Sequence, residues 1–530
     1  MIGCDQALAF CRNALESGAR ILGQSSKHLE ELPQESSTLA QENADLKQQN
    51  AALELKNAAF KQKYTALEEK YVSLLKDFAS LQERAQQLED EKAKTSRTSH
   101  KPPSSDGLAK PKPKSLRKKS NRPTGGQPGH LGHTLRMEEN PDRIVVHRVE
   151  KCSGCGVSLA GQQPERIECR QVFDLPDPKL EITEHQGEVK TCQCGCVNRG
   201  TFPPEVTAPV QYGKRIKSVA VYFAEYQLLP FDRLTEIMRD IFACQSFSQG
   251  TLANFKSDCS ERLEPVEEII RKMVATAPVV GVDETGMRAI GSLHWLHTVS
   301  TDMLTWYYAH KRRGAEAMNQ AGILPNYKGC AVHDCWKSYF DYQCQHALCN
   351  AHLLRELIFL WENHKQTWAK EMIDLLLDIK KTVDAATPGQ NSLSPPQQES
   401  FRQAYERILQ TGYQNNPPEP PVPGAKQRGR RKQSKARNLL DRMRDHAQRI
   451  LAFMDDFAIP FDNNQSERDL RMMKLRQKIS GTFRSFDALV NFCRIRGYVS
   501  TARKNGLNAL DAIERVFLGK PFLPNSQNSS

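Results

Sequence analysis

No run of about eighteen consecutive apolar residues occurs in this 530-residue chain, so no segment is expected to cross a membrane as a helix. The opening turns, MIGCDQALAFCRNALESG, lack a basic region followed by a long apolar one, so no export signal is expected. The 15 cysteines are not spaced as a secreted disulfide framework. Six crowd between Cys152 and Cys196, and Cys344, Cys349 and His352 form a second knot. Such local clusters point to reduced thiols, some of them on metal. Acidic charge is in deficit: 62 Asp and Glu face 74 Lys and Arg, for a net charge of +12. That balance favours a polyanionic partner, and the length allows several domains.

Proline and glycine are both missing from Leu39 to Leu88, and a heptad repeat fills that stretch. Leu39, Leu46, Leu53, Phe60, Leu67, Leu74, Leu81 and Leu88 recur every seventh residue. Taken as position d, they put Asn43, Asn50, Asn57, Tyr64, Tyr71, Phe78 and Ala85 at position a. The period predicts a left-handed coiled coil, and hence a homo-oligomer of at least two chains. The asparagines cost stability but favour a register in which they pair, often a parallel dimer.

Lys92 to Arg122 holds eleven basic residues and one acid, Asp106, among many Pro and Ser. This composition predicts a basic flexible linker that lies along DNA phosphates. The glycines of GGQPGHLGHT, at 125–134, follow no predicted strand, so no nucleotide site is expected there. A cysteine module follows, with Cys152 and Cys155 in CSGC and Cys192, Cys194 and Cys196 in CQCGC. Paired thiolates beside glycines suit a structural Zn²⁺. Cys194 and Cys196 compete for one position, and Cys169 reads as a buried thiol. Gly213 to about Lys272 reads as helices, with Ile216, Val219, Ala220 and Phe223 at helical spacing. A Ser/Gln/Gly break near Ser248 leaves room for a helix-turn-helix-like unit with Lys256 on its second helix; a helical spacer fits the pattern equally well.

Three acids stand in distinctive words: Asp283 in VVGVDETG, Asp334 in GCAVHDCWKSYF and Glu467 in PFDNNQSERDLRMMKLRQKISG. The first two close short β-like runs, with LHWLHTVS and TWYYAHK as further strands broken at Thr301 and Asp302. Glu467 falls on a helix beginning near Asp462 or Asn463. On it, Leu470, Met473 and Ile479 are expected inside, and Arg468, Arg471, Lys474 and Arg476 are available to phosphates. Two strand-end aspartates and a helical glutamate are a set able to gather divalent metal for phosphoryl transfer on nucleic acid.

VDET, HDCWKSYF, LCNAHLLREL, PFDNNQSERDLRMMKLRQKISGTFRS and RGYVSTARKNG, taken in order, resemble the transposases of the insertion-sequence-66 family. KPPSSDG, GGQPGHLGHT, the cysteine module and YQLLPFDR extend the resemblance over nearly the whole chain. The resemblance implies a DDE transposase with a ribonuclease H-like core. It implies Asp283, Asp334 and Glu467 as the catalytic, metal-binding acids, with Mg²⁺ or Mn²⁺ as the ion. Implied partners are double-stranded DNA, namely the element's terminal inverted repeats and target DNA, with accessory proteins of the same element. The implied location is the bacterial cytoplasm, at the nucleoid.

The expected architecture is multidomain: a coiled-coil zipper at 36–91, a basic flexible linker at 92–135, a cysteine-rich zinc-binding module at 136–202 and a helical segment at 203–276. An α/β catalytic core follows at 277–362 and 460–515, interrupted by a mostly helical insertion with a basic Pro-rich loop at 363–459 and followed by a tail at 516–530. Two other readings compete. A zipper-and-zinc DNA-binding regulator leaves the acids without a role. A metal-dependent nuclease without joining activity separates from a transposase only through the family resemblance.

Overall fold

The computed structural model describes residues 8–9, 11–13, 32–95, 98, 129, 135–176, 178, 180–418 and 433–525. Most of the expected basic linker, nearly all of GGQPGHLGHT, and 419–432 of the basic Pro-rich loop expected in the helical insertion, whose seven basic residues run from Lys426 to Arg437, lie outside them. The chain divides into two units, Met1–Ala93 and Lys94–Ser530. Among the described residues, no helix is long and apolar enough to cross a membrane.

The first unit is dominated by one helix, α1 (Leu32–Ala93), 62 residues without interruption and so about 90 Å long. Its repeat positions Leu46, Leu53, Phe60, Leu67, Leu74, Leu81 and Leu88 are each more than half exposed. A helix of this length with an uncovered apolar stripe has no core of its own.

The second unit begins with an extended segment whose described residues form a small antiparallel ribbon, β1 (Val189–Thr191) with β2 (Val197–Arg199), and an isolated bridge between Lys151 and Ser158. The helical segment is α2 (Lys214–Val221) with a π-turn at Tyr222–Tyr226, then α3 (Phe231–Asp240) and α4 (Gln249–Thr276). Ser248 caps α4 by accepting from the Thr251 N–H at 3.1 Å. The connection from Ile241 to Ser248 is longer than the three or four residues usual in a helix-turn-helix. Lys256 is not on the surface. It is buried against Glu225 at 2.6 Å, with its ammonium over the Phe231 ring.

A five-stranded mixed sheet follows: β3 (Val279–Ala289), β4 (Ser292–Ser300), β5 (Thr305–His310), β6 (Cys330–His333) and β7 (Gln345–Leu348), in the order β5-β4-β3-β6-β7. The first three run antiparallel; β6 joins β3, and β7 joins β6, in parallel. A short helix, α5 (Ala315–Ala321), helps carry the chain from β5 across to β6. The β3–β4 hairpin turns at Ile290 and Gly291, both at positive φ, as a tight hairpin turn requires. The helical N-terminal region and the α/β core with a mixed sheet agree with the sequence reading.

Helices α6 (Asn350–His364), α7 (Thr367–Asp384), α8 (Pro395–Asn415), α9 (Lys435–Asp445) and α10 (Ala447–Asp455) separate β7 from α11 (Asn464–Ser480). Then come α12 (Phe486–Lys504) and α13 (Ala509–Phe517). Adjacent residues of β5 feed two different cores. Trp306 packs with Val280, Val282, the α4 side chains Val266 and Ile270, and Val499 of α12. Tyr307 packs with Met287, Leu296, the α11 side chains Leu470 and Met473, and Phe492. Alternation along the strands thus sandwiches the sheet between helices.

Candidate active site

The apolar run VVGV suggests a strand that stops at Asp283, but β3 continues through it to Ala289. What stops there is the parallel pairing. The β3–β6 register joins Val279 to Cys330 and Gly281 to Val332, so one further step of two residues brings Asp283 level with Asp334. β6 ends at His333, immediately before Asp334. The Asp334 carboxylate accepts from the Trp336 N–H at 3.0 Å, across a Cys335 at positive φ. That turn fixes the acid as the chain leaves the sheet.

Glu467 reaches the same place from 133 residues farther along the chain. Asn463, just before α11, does not cap it with its side chain. Its amide donates instead to the Val282 carbonyl at 2.8 Å, while its backbone N–H donates to Cys349 Sγ at 3.1 Å. Ser466 meets Ser300 Oγ at 2.8 Å, and the Lys474 ammonium donates to the Gly286 carbonyl. α11 therefore lies along β3, with its acidic first turn beside Asp283.

Gly281 makes this approach possible. A methyl group there would overlap Asn463 Oδ1 and Ser466 Oγ. Gly281→Ala is expected to cost about 1–3 kcal/mol through overpacking and to push the first turn of α11 off the strand. Urea unfolding of the two proteins measures the first effect. Unchanged stability would mean that the helix start is not held against β3 in solution.

Burial, above all, raises the Asp283 carboxyl to about 8; Glu284, Asp334 and Glu467 add like charge, and the Glu284 N–H opposes them. The three sequence-selected acids thus share one electrostatic site. Glu467 Oε2 accepts from Arg355 at 3.3 Å, and Oε1 lies 3.5 Å from His352 Nε2. Oε1 is buried with no hydrogen-bond partner among the described residues. Cys349, His352 and Glu467 each offer a ligand atom within 4.8 Å of the others.

The flanking acids have other partners. Glu284 is buried, pairs with Arg313 at 2.5 Å and accepts from the Tyr339 hydroxyl. The Arg313 guanidinium rests 4.2 Å from the Trp336 ring. Asp469 is buried on Lys504 at 2.9 Å. On α11, Leu470 and Met473 are buried as expected, but Ile479 is 42% exposed. Arg476 turns its guanidinium over the Phe483 ring at 4.4 Å and is not a free phosphate donor, whereas Arg468 and Arg471 are exposed.

The cysteine module forms two turns. Gly156 N–H donates to Cys152 O at 3.0 Å and Gly195 N–H to Cys192 O at 2.8 Å, both glycines at positive φ. Backbone hydrogen bonding, from Cys155 first, lowers the Cys152 thiol; that from Cys196 leads for Cys194. Cys155, Cys192, Cys194 and Cys196 are exposed and Cys152 is half-buried; Cys169, expected from the sequence to be a buried thiol, is exposed. The structure does not gather three of these thiols within 4.8 Å of one another.

Sequence reasoning missed Asn463, Ser466 and Arg355 as the groups that seat Glu467. Asn463 and Ser466 were visible in NNQSE, but their partners lie more than 110 residues away.

Among protein families, the model described as "Transposase IS66 family" matches residues 209–490. The model of a family of unknown function matches residues 30–136. No curated protein matches the chain.

Proposed function

The chain belongs to the IS66 family of transposases, and from that premise we propose that it cuts and rejoins DNA at the ends of its element by metal-dependent phosphoryl transfer. The observation that carries this reading is the convergence of Asp283, Asp334 and Glu467, with Asp283 raised to about 8 by burial and its acidic neighbours. Such a cluster fits a hard divalent cation, because Arg355 offsets only part of the like charge gathered there. Mg²⁺, with Mn²⁺ as a substitute, would supply charge stabilisation at the reacting phosphate and help deprotonate the attacking hydroxyl.

The residues of the chain do the positioning. Asp283 and Asp334 hold their carboxylates at the mouth of adjacent parallel strands. Arg355 holds one oxygen of Glu467. Exposed Arg468 and Arg471 put positive charge on the same helix for the DNA backbone. The antiparallel β5-β4-β3 joined in parallel to β6 and β7 supports a ribonuclease H-like core. Partners on this reading are the terminal inverted repeats, target DNA, a second copy through α1 and accessory proteins of the same element.

The full chain, given labelled element-end DNA, target DNA and any accessory proteins, should yield cleaved and joined products with Mg²⁺ or Mn²⁺ and none with chelator. Cleavage without joining would favour the nuclease reading, and products in chelator would refute the metal mechanism.

The cysteine module is proposed to hold one structural Zn²⁺. Its lowered thiols, Cys152 and Cys194, favour the thiolate form that binds metal. Cys152→Ser is expected to carry one zinc fewer per chain than the parent by elemental analysis; equal zinc would remove Cys152 from the site.

A further inference from the structure

Beside the three acids lies a second, chemically different donor set. Cys349 precedes α6 and His352 sits in its first turn, three residues on and therefore on the same side. Glu467 comes from α11. Ligands on one tetrahedral Zn²⁺, with bonds of about 2.0–2.3 Å, stand about 3.3–3.6 Å apart. His352 Nε2 and Glu467 Oε1 are 3.5 Å apart, and the three donors lie within 4.8 Å of one another. Cys349 Sγ also accepts the Asn463 N–H at 3.1 Å; burial pushes this thiol up to about 12, the hydrogen bond offsets part of that rise, and a bound cation would displace the proton.

We propose that Cys349, His352 and Glu467 form a binding site for a borderline-soft divalent cation of the Zn²⁺ class, and that its occupation draws Glu467 away from Asp283 and Asp334. Sulfur and imidazole select such an ion and are poor ligands for Mg²⁺, whereas Asp283 and Asp334 offer only hard oxygen. Glu467 is the carboxylate common to both sets. Zinc and magnesium would then compete for one side chain, and zinc would restrain DNA cleavage. This consequence rests on the phosphoryl-transfer reading; the binding site does not.

The test uses the full chain, metal-stripped under reducing conditions and titrated with Co²⁺ as an optical stand-in for Zn²⁺. Cys349→Ser, which keeps an acceptor for Asn463, is expected to lose one cobalt per chain and the corresponding thiolate–cobalt absorbance. His352→Gln is expected to weaken that site by about tenfold or more. Circular dichroism melts establish that each variant is folded. A Zn²⁺ titration of DNA cleavage at fixed Mg²⁺ then follows, each protein scaled to its own zinc-free rate. The parent should be inhibited, and whichever variant retains cleavage should resist.

Unchanged cobalt stoichiometry and spectrum in folded Cys349→Ser would overturn the site and leave CNAH as a packing clamp. Loss of the cobalt site with equal zinc inhibition in the parent and an active variant would overturn the competition for Glu467. A lost cobalt site in proteins that cut no DNA with any metal would uphold the site and refute the phosphoryl-transfer reading.

Discussion

Replacing any one of Asp283, Asp334 and Glu467 by its amide is expected to lower metal-dependent cleavage and strand transfer by about a thousandfold or more, about 4 kcal/mol of transition-state stabilisation, while binding to element-end DNA survives. An amide keeps the size of the side chain but offers a neutral oxygen, which holds Mg²⁺ less well. Stability separates this loss from misfolding. The Asp283 carboxyl is raised to about 8, so in metal-free protein it binds a proton that the unfolded chain has released above about 4. Its contribution to stability is therefore lost as pH rises through that window. Metal-free Asp283→Asn should accordingly melt no lower than the parent at pH 7. Full strand transfer by Glu467→Gln would sink the triad.

Glu284 and Asp469 are not passive comparisons for that experiment. Each is buried in an ion pair, with Arg313 and Lys504 respectively. Removing one partner of such a pair strands the other, so Glu284→Gln and Asp469→Asn are expected to lower stability as well as activity. The informative comparison is activity against melting temperature. Asp283→Asn should lose activity without losing stability, and the flanking amides should lose both.

Much of the sheet was legible because its signals are local. Val279, Val280 and Val282 announce β3, and the Thr301–Asp302 break separates β4 from β5. The end of β3 was not legible. Past Asp283 the strand keeps β4 as a neighbour but not β6, and its apolar pattern thins. The seat of Glu467 was hidden for another reason. Gly281 reads as an ordinary glycine until the Asn463 and Ser466 side chains are laid on it. Arg476 and Ile479 follow the helical pattern only as far as Gly481; the chain then folds back so that Phe483 pairs with β3 at Arg288 and takes the Arg476 guanidinium. Such contacts depend on where a loop returns, which periodicity cannot encode.

Deleting residues 36–91 is expected to reduce the assembly from dimer to single chain in sedimentation equilibrium at low concentration without DNA. α1 is a continuous helix whose seven side chains Leu46, Leu53, Phe60, Leu67, Leu74, Leu81 and Leu88 are more than half exposed in one chain. Burying each contributes roughly 1.5–3 kcal/mol, so a paired stripe offers on the order of 10–20 kcal/mol per chain before ordering costs. No isolated helix gains that in water. Asn43, Asn50 and Asn57 reduce the sum but disfavour registers that leave them unpaired. Replacing Leu67 and Leu74 by Asp tests the same interface with the helix intact, because it buries charge at two adjacent d positions. Both changes should yield the protomer mass. A dimer that persists through both would show that the core, not the heptad stripe, holds the chains together.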